Sequence, residues 1–261
     1  MDEAERFHTA LCGVFEAIVT EFPGGAFERR GGYLLGLCPA LPLPQFNGVW
    51  ADADEESAGA LASSIAEVEE RGLPFSLQTR TGRTPGAEKE AERLGLAVVD
   101  EMPAMFARER ALASAPAGDL VIERLASDDE AGLATALEVA AAGFEAPSEL
   151  VGPLYTPAMA SAMGWSIYLG RVEGAAASTA VGWVRDGLTF IGSVATPARW
   201  RRRGYAAALT ARACDDGFRA GAEAAFLQSS RQAHGIYRRL GFLDVMSYRL
   251  FVRPPRDGTP G

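Results

Sequence analysis

Two stretches set about 150 residues apart end the two halves of this chain in the same way, and that spacing limits the folds open to it. In the first, PFSLQTR (74–80) leads to EKEAERLGLAVVDEMPAMFARE (88–109); in the second, AAFLQSSR (224–231) leads to AHGIYRRLGFLDVMSYRLFVR (233–253). Leu77-Gln78 answers Leu227-Gln228, and Arg93-Leu94-Gly95-Leu96 answers Arg239-Leu240-Gly241-Phe242. Each series reads as strand, helix, strand. A recurrence at this period belongs to a duplicated domain, not to a solenoid, and the strand–helix–strand series gives an α/β class (α+β in arrangement). With 261 residues, 48% hydrophobic and 23% charged, the chain has material for a sizeable core in one large domain or two modest ones.

The best linker lies within ALASAPAGDL (111–120), where small residues with Pro116 and Gly118 interrupt the pattern. We therefore place one unit at 1–113, a linker at 114–118, a second unit at 119–256 and a disordered tail at 257–261. The N-terminus carries acids among Phe7, Leu11, Val14, Phe15 and Ile18, the pattern of an amphipathic helix and of neither a signal peptide nor a membrane span. Cys12, Cys38 and Cys214 are odd in number, far apart and without zinc-ligand spacing, so neither a disulfide framework nor a metal site is expected, and a reducing cytoplasm is. In the second unit, Ser127 and Glu130 form a capping box for a helix ending near Phe144. PSELVGPLYTPAMASAMG (147–164) is a proline-interrupted helical segment. WSIYLGRVEG, AASTAVGWVRDG and LTFIGSVATP then read as a three-strand antiparallel meander with glycine turns.

The third of those strands runs into ARWRRRGYAA (198–207), four arginines within five residues ahead of Gly204. Clustered arginine neutralises phosphate, but acids outnumber Lys and Arg by 34 to 25 and the net charge is −9, so a polynucleotide would be repelled beyond this one spot. A solvated helix face is the bland alternative. Order decides for a compact anion: strand, short loop and glycine lead to YAAALTARACDDGF (205–218), rich in helix formers, and a helix N-terminus presents unpaired N–H groups and positive dipole to phosphate. No GxxxxGK[ST] loop occurs and no GxGxxG opens a helix here; the cradle is Arg201-Arg202-Arg203-Gly204-Tyr205-Ala206, an R-x-x-G-x-A turn.

That turn, with Ser230-x-x-Ala233-x-x-x-Tyr237 and Leu240-Gly241-Phe242 after it, resembles the GNAT family of acyl-CoA N-acyltransferases over roughly residues 119–254. The family's [QR]-x-x-G-x-[GA] loop holds the coenzyme A pyrophosphate, and its Asn-x-x-Ala-x-x-x-Tyr helix is matched here except that Ser230 replaces Asn. The first half resembles a degenerate second copy, as in tandem GNAT proteins. Asp52, Asp54, Glu55 and Glu56 stand where its cradle would lie, and Ala91 takes the place of Tyr237.

The resemblance implies two GNAT-like mixed sheets flanked by helices, the C-terminal one complete, and an acetyl-CoA-dependent N-acetyltransferase working by direct attack of an amine in a ternary complex. It implies acetyl-CoA as acyl donor, without metal. Coenzyme would be held by Val194, Ala195, Thr196, Arg201, Arg202, Arg203, Gly204, Tyr205, Ala206, Ser230 and Tyr237, with Arg202 and Arg199 less directed than Arg201 and Arg203 because one loop cannot aim every side chain inward. Tyr237 would protonate the departing thiolate, and the backbone N–H groups of Val194 and Ala195 would polarise the acetyl carbonyl. Glu145 is the candidate to bind the amine or relay its proton; Leu188–Thr196 carries no carboxylate, leaving Ser193, Thr189 or an ordered water as alternatives. The expected partner is a small-molecule or peptide amine, with no nucleic acid and no membrane, and a homodimer stays open. A longer acyl donor and a non-catalytic acyl-CoA-binding or interaction module are the rival readings.

Overall fold

Strand pairing divides the chain differently from its sequence boundaries. The computed structural model describes residues 2–53, 59–109 and 118–254, and it forms two units: Met1–Pro103 with Met246–Gly261, and Ala104–Val245. Residues 114–117 of the expected linker and all of the expected tail lie outside the described residues.

The first unit holds α1 (Glu3–Glu21), β1 (Ala26–Arg30), β2 (Tyr33–Leu37), β3 (Gly48–Ala51), α2 (Ala60–Glu70), β4 (Ser76–Arg80), α3 (Pro85–Arg93) and the start of β5 (Ala97–Ala107). Helix α1 opens where the Asp2 carboxylate accepts the Glu5 N–H at 2.8 Å, and it buries the expected Phe7, Leu11, Val14 and Ile18. Gly31 and Gly32, at φ 52° and 87°, turn β1 back on β2, since a two-residue hairpin needs positive φ at both positions. Strand β3 runs parallel to β4, with α2 between them in sequence. The core gathers Tyr33, Leu35, Val49, Leu61, Ile65 and Leu77 with Phe251 from the far end of the chain. Phe251 arrives on β11 (Leu243–Val252), whose residues from Met246 on belong to this unit and pair antiparallel with β4, Arg80 opposite Tyr248 and Leu77 opposite Phe251.

The second unit holds the end of β5, β6 (Leu120–Arg124), α4 (Glu130–Phe144), α5 (Ser148–Val151), a 3-10 turn (Gly152–Tyr155), α6 (Pro157–Met163), β7 (Ser166–Val172), β8 (Ala175–Arg185), β9 (Leu188–Ala195), α7 (Tyr205–Arg219), β10 (Ala224–Gln228), α8 (His234–Arg239) and the first residues of β11. The expected meander is present as β7, β8 and β9, turned by Glu173-Gly174 and Asp186-Gly187, all four residues at positive φ. Helix α4 ends at Phe144 as expected but starts under Asp129, whose carboxylate accepts the Gly132 N–H at 2.9 Å; a carboxylate next to the first turn displaces Ser127 as cap. Strand β10 runs parallel to β9 on one side and antiparallel to Ala104–Ala107 of β5 on the other.

The sequence reading closes each half with its own last strand. Instead, the strand that follows the first Leu-Gly turn delivers its last four residues to the second unit, and the strand that follows the second turn completes the first. Each unit is a mixed α/β sheet flanked by helices, and no described helix is long and apolar enough to cross a membrane.

Candidate active site

Strand β9 is irregular where it matters. Its ladder with β8 pairs Val181 with Gly192 but Thr179 with Ala195, so β9 spends one residue more than β8 over this interval. Ser193 absorbs the bulge at φ 48°, a left-handed conformation that costs a β-carbon residue roughly 1–2 kcal/mol. On the other edge the parallel ladder with β10 ends at Phe190 opposite Phe226, and β10 continues as the partner of β5 alone. Beyond Phe190, therefore, the β10-facing edge of β9 has no ladder partner, and Val194, Ala195 and Thr196 lie past that point. Ser178 ties the strand end down: its hydroxyl donates to the Ala195 carbonyl at 2.9 Å and meets the Thr196 hydroxyl at 2.8 Å. Helix α4 presses on the same point at Gly143, where a β-carbon would sit 2.8 Å from the Thr196 nitrogen.

The turn to α7 begins with Arg201, which is turned inward. Its Nε donates to the Thr196 carbonyl at 3.0 Å, and its Nη2 donates to the Gly143 carbonyl at 2.9 Å and to a Glu145 carboxylate oxygen at 3.0 Å. These bonds join the end of β9 to the C-terminus of α4, so Arg201 buttresses that junction. Arg203 lies over the Trp200 ring, 5.3 Å from its centre, and Arg202, exposed at φ 66°, has no ion pair among the described residues. Gly204 takes φ 84° at the start of α7 with no side-chain cap and open space where a β-carbon would project. The first N–H groups of α7, Tyr205 and Ala206 among them, thus face outward beside two uncompensated guanidinium groups. The Tyr205 side chain is buried and donates to Asp119 at 3.1 Å, which leaves it only a backbone part in the cradle.

Ser230 also has a local task. Its hydroxyl accepts the Ala233 N–H at 3.3 Å, opening the turn into α8. Tyr237, on α8, is 6% exposed and packs edge-on to Phe242, ring centres 6.0 Å apart. Burial lifts its phenol to about 12, with the neighbouring Cys214 adding to the rise. Glu145 caps α4 in left-handed conformation at φ 56°, its side chain 70% exposed and paired with Arg201. Thr189 is sealed beneath α7, where a β-carbon on Gly217 would fall 2.6 Å from its side chain, so it drops out as a proton relay. One residue escaped the sequence reading: Tyr155, buried at the end of the 3-10 turn with its hydroxyl unpaired. A tyrosine in a proline-broken helical stretch carries no local signal of that kind.

Residues 143–242 match the model of the Acetyltransferase (GNAT) family. No curated protein sequence matches the chain. Among solved structures it is similar to a GCN5-related N-acetyltransferase from Kribbella flavida, 19% identical with TM-score 0.76 over 98% of this chain and 97% of that one. It is also similar to a GCN5-related N-acetyltransferase from Sphaerobacter thermophilus (17%, TM-score 0.63, 87% and 82%) and to a tandem GNAT protein from the clavulanic acid biosynthesis pathway (15%, TM-score 0.58, 94% and 89%). At these identities the likeness is one of fold, and it extends to the first unit as well as the second.

Proposed function

We propose, from the match of residues 143–242 to the Acetyltransferase (GNAT) family, that the chain is an acetyl-CoA-dependent N-acetyltransferase acting on a primary amine of a small molecule or peptide. One observation carries the reading: an uncapped helix start at a left-handed glycine, flanked by Arg202 and Arg203, lies one short loop beyond a bulged strand whose open edge bears Val194 and Ala195.

Acetyl-CoA supplies the activated acyl group. The N–H groups of Tyr205 and Ala206, with Arg202 and Arg203, would take its pyrophosphate, and Gly204 leaves room for that approach. The main-chain N–H groups of Val194 and Ala195, past the end of the β9–β10 ladder, would donate to the thioester oxygen as charge grows on it. Arg201 and Glu145 act at one remove, fixing the strand end against α4. Tyr237 stays protonated at neutral pH, and its hydroxyl would donate a hydrogen bond to the departing sulfur. Handing over the proton outright is uphill, because a phenol at about 12 is less acidic than a thiol near 8.5 by roughly 3 pH units. We assign the first unit no coenzyme. The net charge of −9 favours cationic acceptors at long range and disfavours nucleic acid, and three buried free cysteines suit a reducing cytoplasm.

Calorimetry with acetyl-CoA tests the binding half: one coenzyme per chain is expected. Thiol release from acetyl-CoA across a panel of primary amines tests the chemistry. Binding without amine-dependent release from any of them would leave an acyl-CoA-binding module, and absence of binding would end the reading altogether.

A further inference from the structure

Tyr155 and Ser193 are two hydroxyls that the coenzyme site does not use. Tyr155 is 5% exposed, and its oxygen is sealed from solvent without a hydrogen-bond partner among the described residues. Phenylalanine would fill the same space without stranding a polar atom. Burial pushes the phenol up to about 12, and the neighbouring Ser193 hydroxyl draws it back slightly without completing a hydrogen bond of full geometry. Ser193, for its part, is the residue held at φ 48° in the β9 bulge, two positions before Ala195. A serine in that conformation where glycine would sit free, facing an unpaired buried phenol, marks a pair that a third group completes.

We propose that Tyr155 and Ser193 seat the acceptor's nitrogen, with Ser193 receiving an amine N–H and Tyr155 acting as a positioning residue that donates to the Ser193 oxygen and aims its lone pair. The inference rests on acetyl transfer as the activity. Neither hydroxyl carries negative charge, so the pair receives the amine in its neutral form. Nitrogen then attacks the acetyl carbon, the C–N bond forms, the C–S bond breaks, the surplus proton on nitrogen leaves to water, and the thiolate is protonated from solvent.

The test uses the full chain with acetyl-CoA and a fixed set of probes: benzylamine, putrescine and a tetrapeptide with a free α-amino group. For the best of these, Tyr155→Phe lowers kcat/KM for the amine by about 10-fold, the worth of one hydrogen bond to a group gaining charge, while the acetyl-CoA Kd holds and Tm holds or rises. Ser193→Gly, which relieves the left-handed backbone, gives a similar loss, and the double variant loses little more than either single. Wild-type kcat/KM in Tyr155→Phe, or losses that multiply in the double variant, overturns the seat and leaves acetyl transfer standing. Wild-type inactivity toward all three probes and the wider amine panel overturns both together.

Discussion

Gly59 and Gly204 stand at equivalent points of the two units, each in left-handed conformation (φ 82° and 84°) at the uncapped start of a helix that links two parallel strands. The surroundings differ in sign and in what is left free. Ahead of Gly204 come Arg202 and Arg203, without carboxylate partners among the described residues. On the strand side of Gly59 comes Asp52, which pairs with Arg29, meets the buried His8 Nε2 at 3.2 Å and gives its backbone carbonyl to Arg80; Asp54, Glu55 and Glu56 lie outside the described residues. The Leu-Gly turns repeat the lesson. In both, a glycine at positive φ ends the helix and the next residue's N–H reaches back, Leu96 to the Ala91 carbonyl at 2.9 Å and Phe242 to the Tyr237 carbonyl at 3.0 Å. One fold position bears a methyl group in one unit and a phenol in the other. The two units keep the same glycine conformations at these points and differ in the side chains around them.

Changing the two glycines alike is the strongest way to break that comparison. Gly204→Glu should raise the acetyl-CoA Kd by on the order of 100-fold or more, by setting a carboxylate in a phosphate site, whereas Gly59→Glu should leave it unchanged. Each pays about 1–2 kcal/mol of stability for a β-carbon at positive φ, so equal Tm losses with unequal Kd values are expected in calorimetry and thermal melts. Equal Kd values would erase the distinction.

Tyr237→Phe probes the second pair of positions. With ring packing kept, coenzyme affinity should hold while kcat falls roughly 10-fold to 1000-fold, provided single-turnover measurements show chemistry to be limiting. Unchanged turnover would make Tyr237 as silent as Ala91.

His8 sharpens the contrast from the other side. It is 2% exposed, its Nδ1 meets the Tyr248 hydroxyl at 2.9 Å, and burial drives its pKa down to about 3. Its folded value lies below its unfolded value near 6.5, so its contribution is full above pH 6.5 and is lost as pH falls toward about 3, while the unfolded chain alone takes the proton. Between pH 6.5 and 5 the loss should be about 2 kcal/mol in urea melts, and His8→Phe should flatten that part of the profile. An unaltered slope would show that the network is not what holds the first unit. The smallest effect belongs to Arg202→Ala, about 10-fold in acetyl-CoA Kd and shrinking with added salt.

Much of this was legible locally. The glycine turn into α7, both Leu-Gly turns and the β7–β9 meander rest on glycine and on β-forming runs a few residues long, where sequence and conformation are directly coupled. Side-chain aim was less legible. Arg201 and Arg203 read alike as letters, and only the meeting of β9 with α4 turns the first inward. Ser193 gave no warning of a left-handed backbone, since a bulge is a property of the ladder. The exchange of β5 and β11 was hidden for the same reason: both are apolar runs after a Leu-Gly turn, and neither states which strand it will meet.

That exchange has a consequence for how the chain is made. Strand β4 is synthesised by residue 80, but its antiparallel partner residues are Tyr248–Phe251, and Thr79 waits for Arg249. At about 5–20 residues per second, that side of β4 stays unladdered for roughly ten seconds or longer while the whole second unit is translated. Of the two units, the one whose strands are made earlier is thus completed later, and its final ladder hydrogen bonds wait until Tyr248–Phe251 have been made.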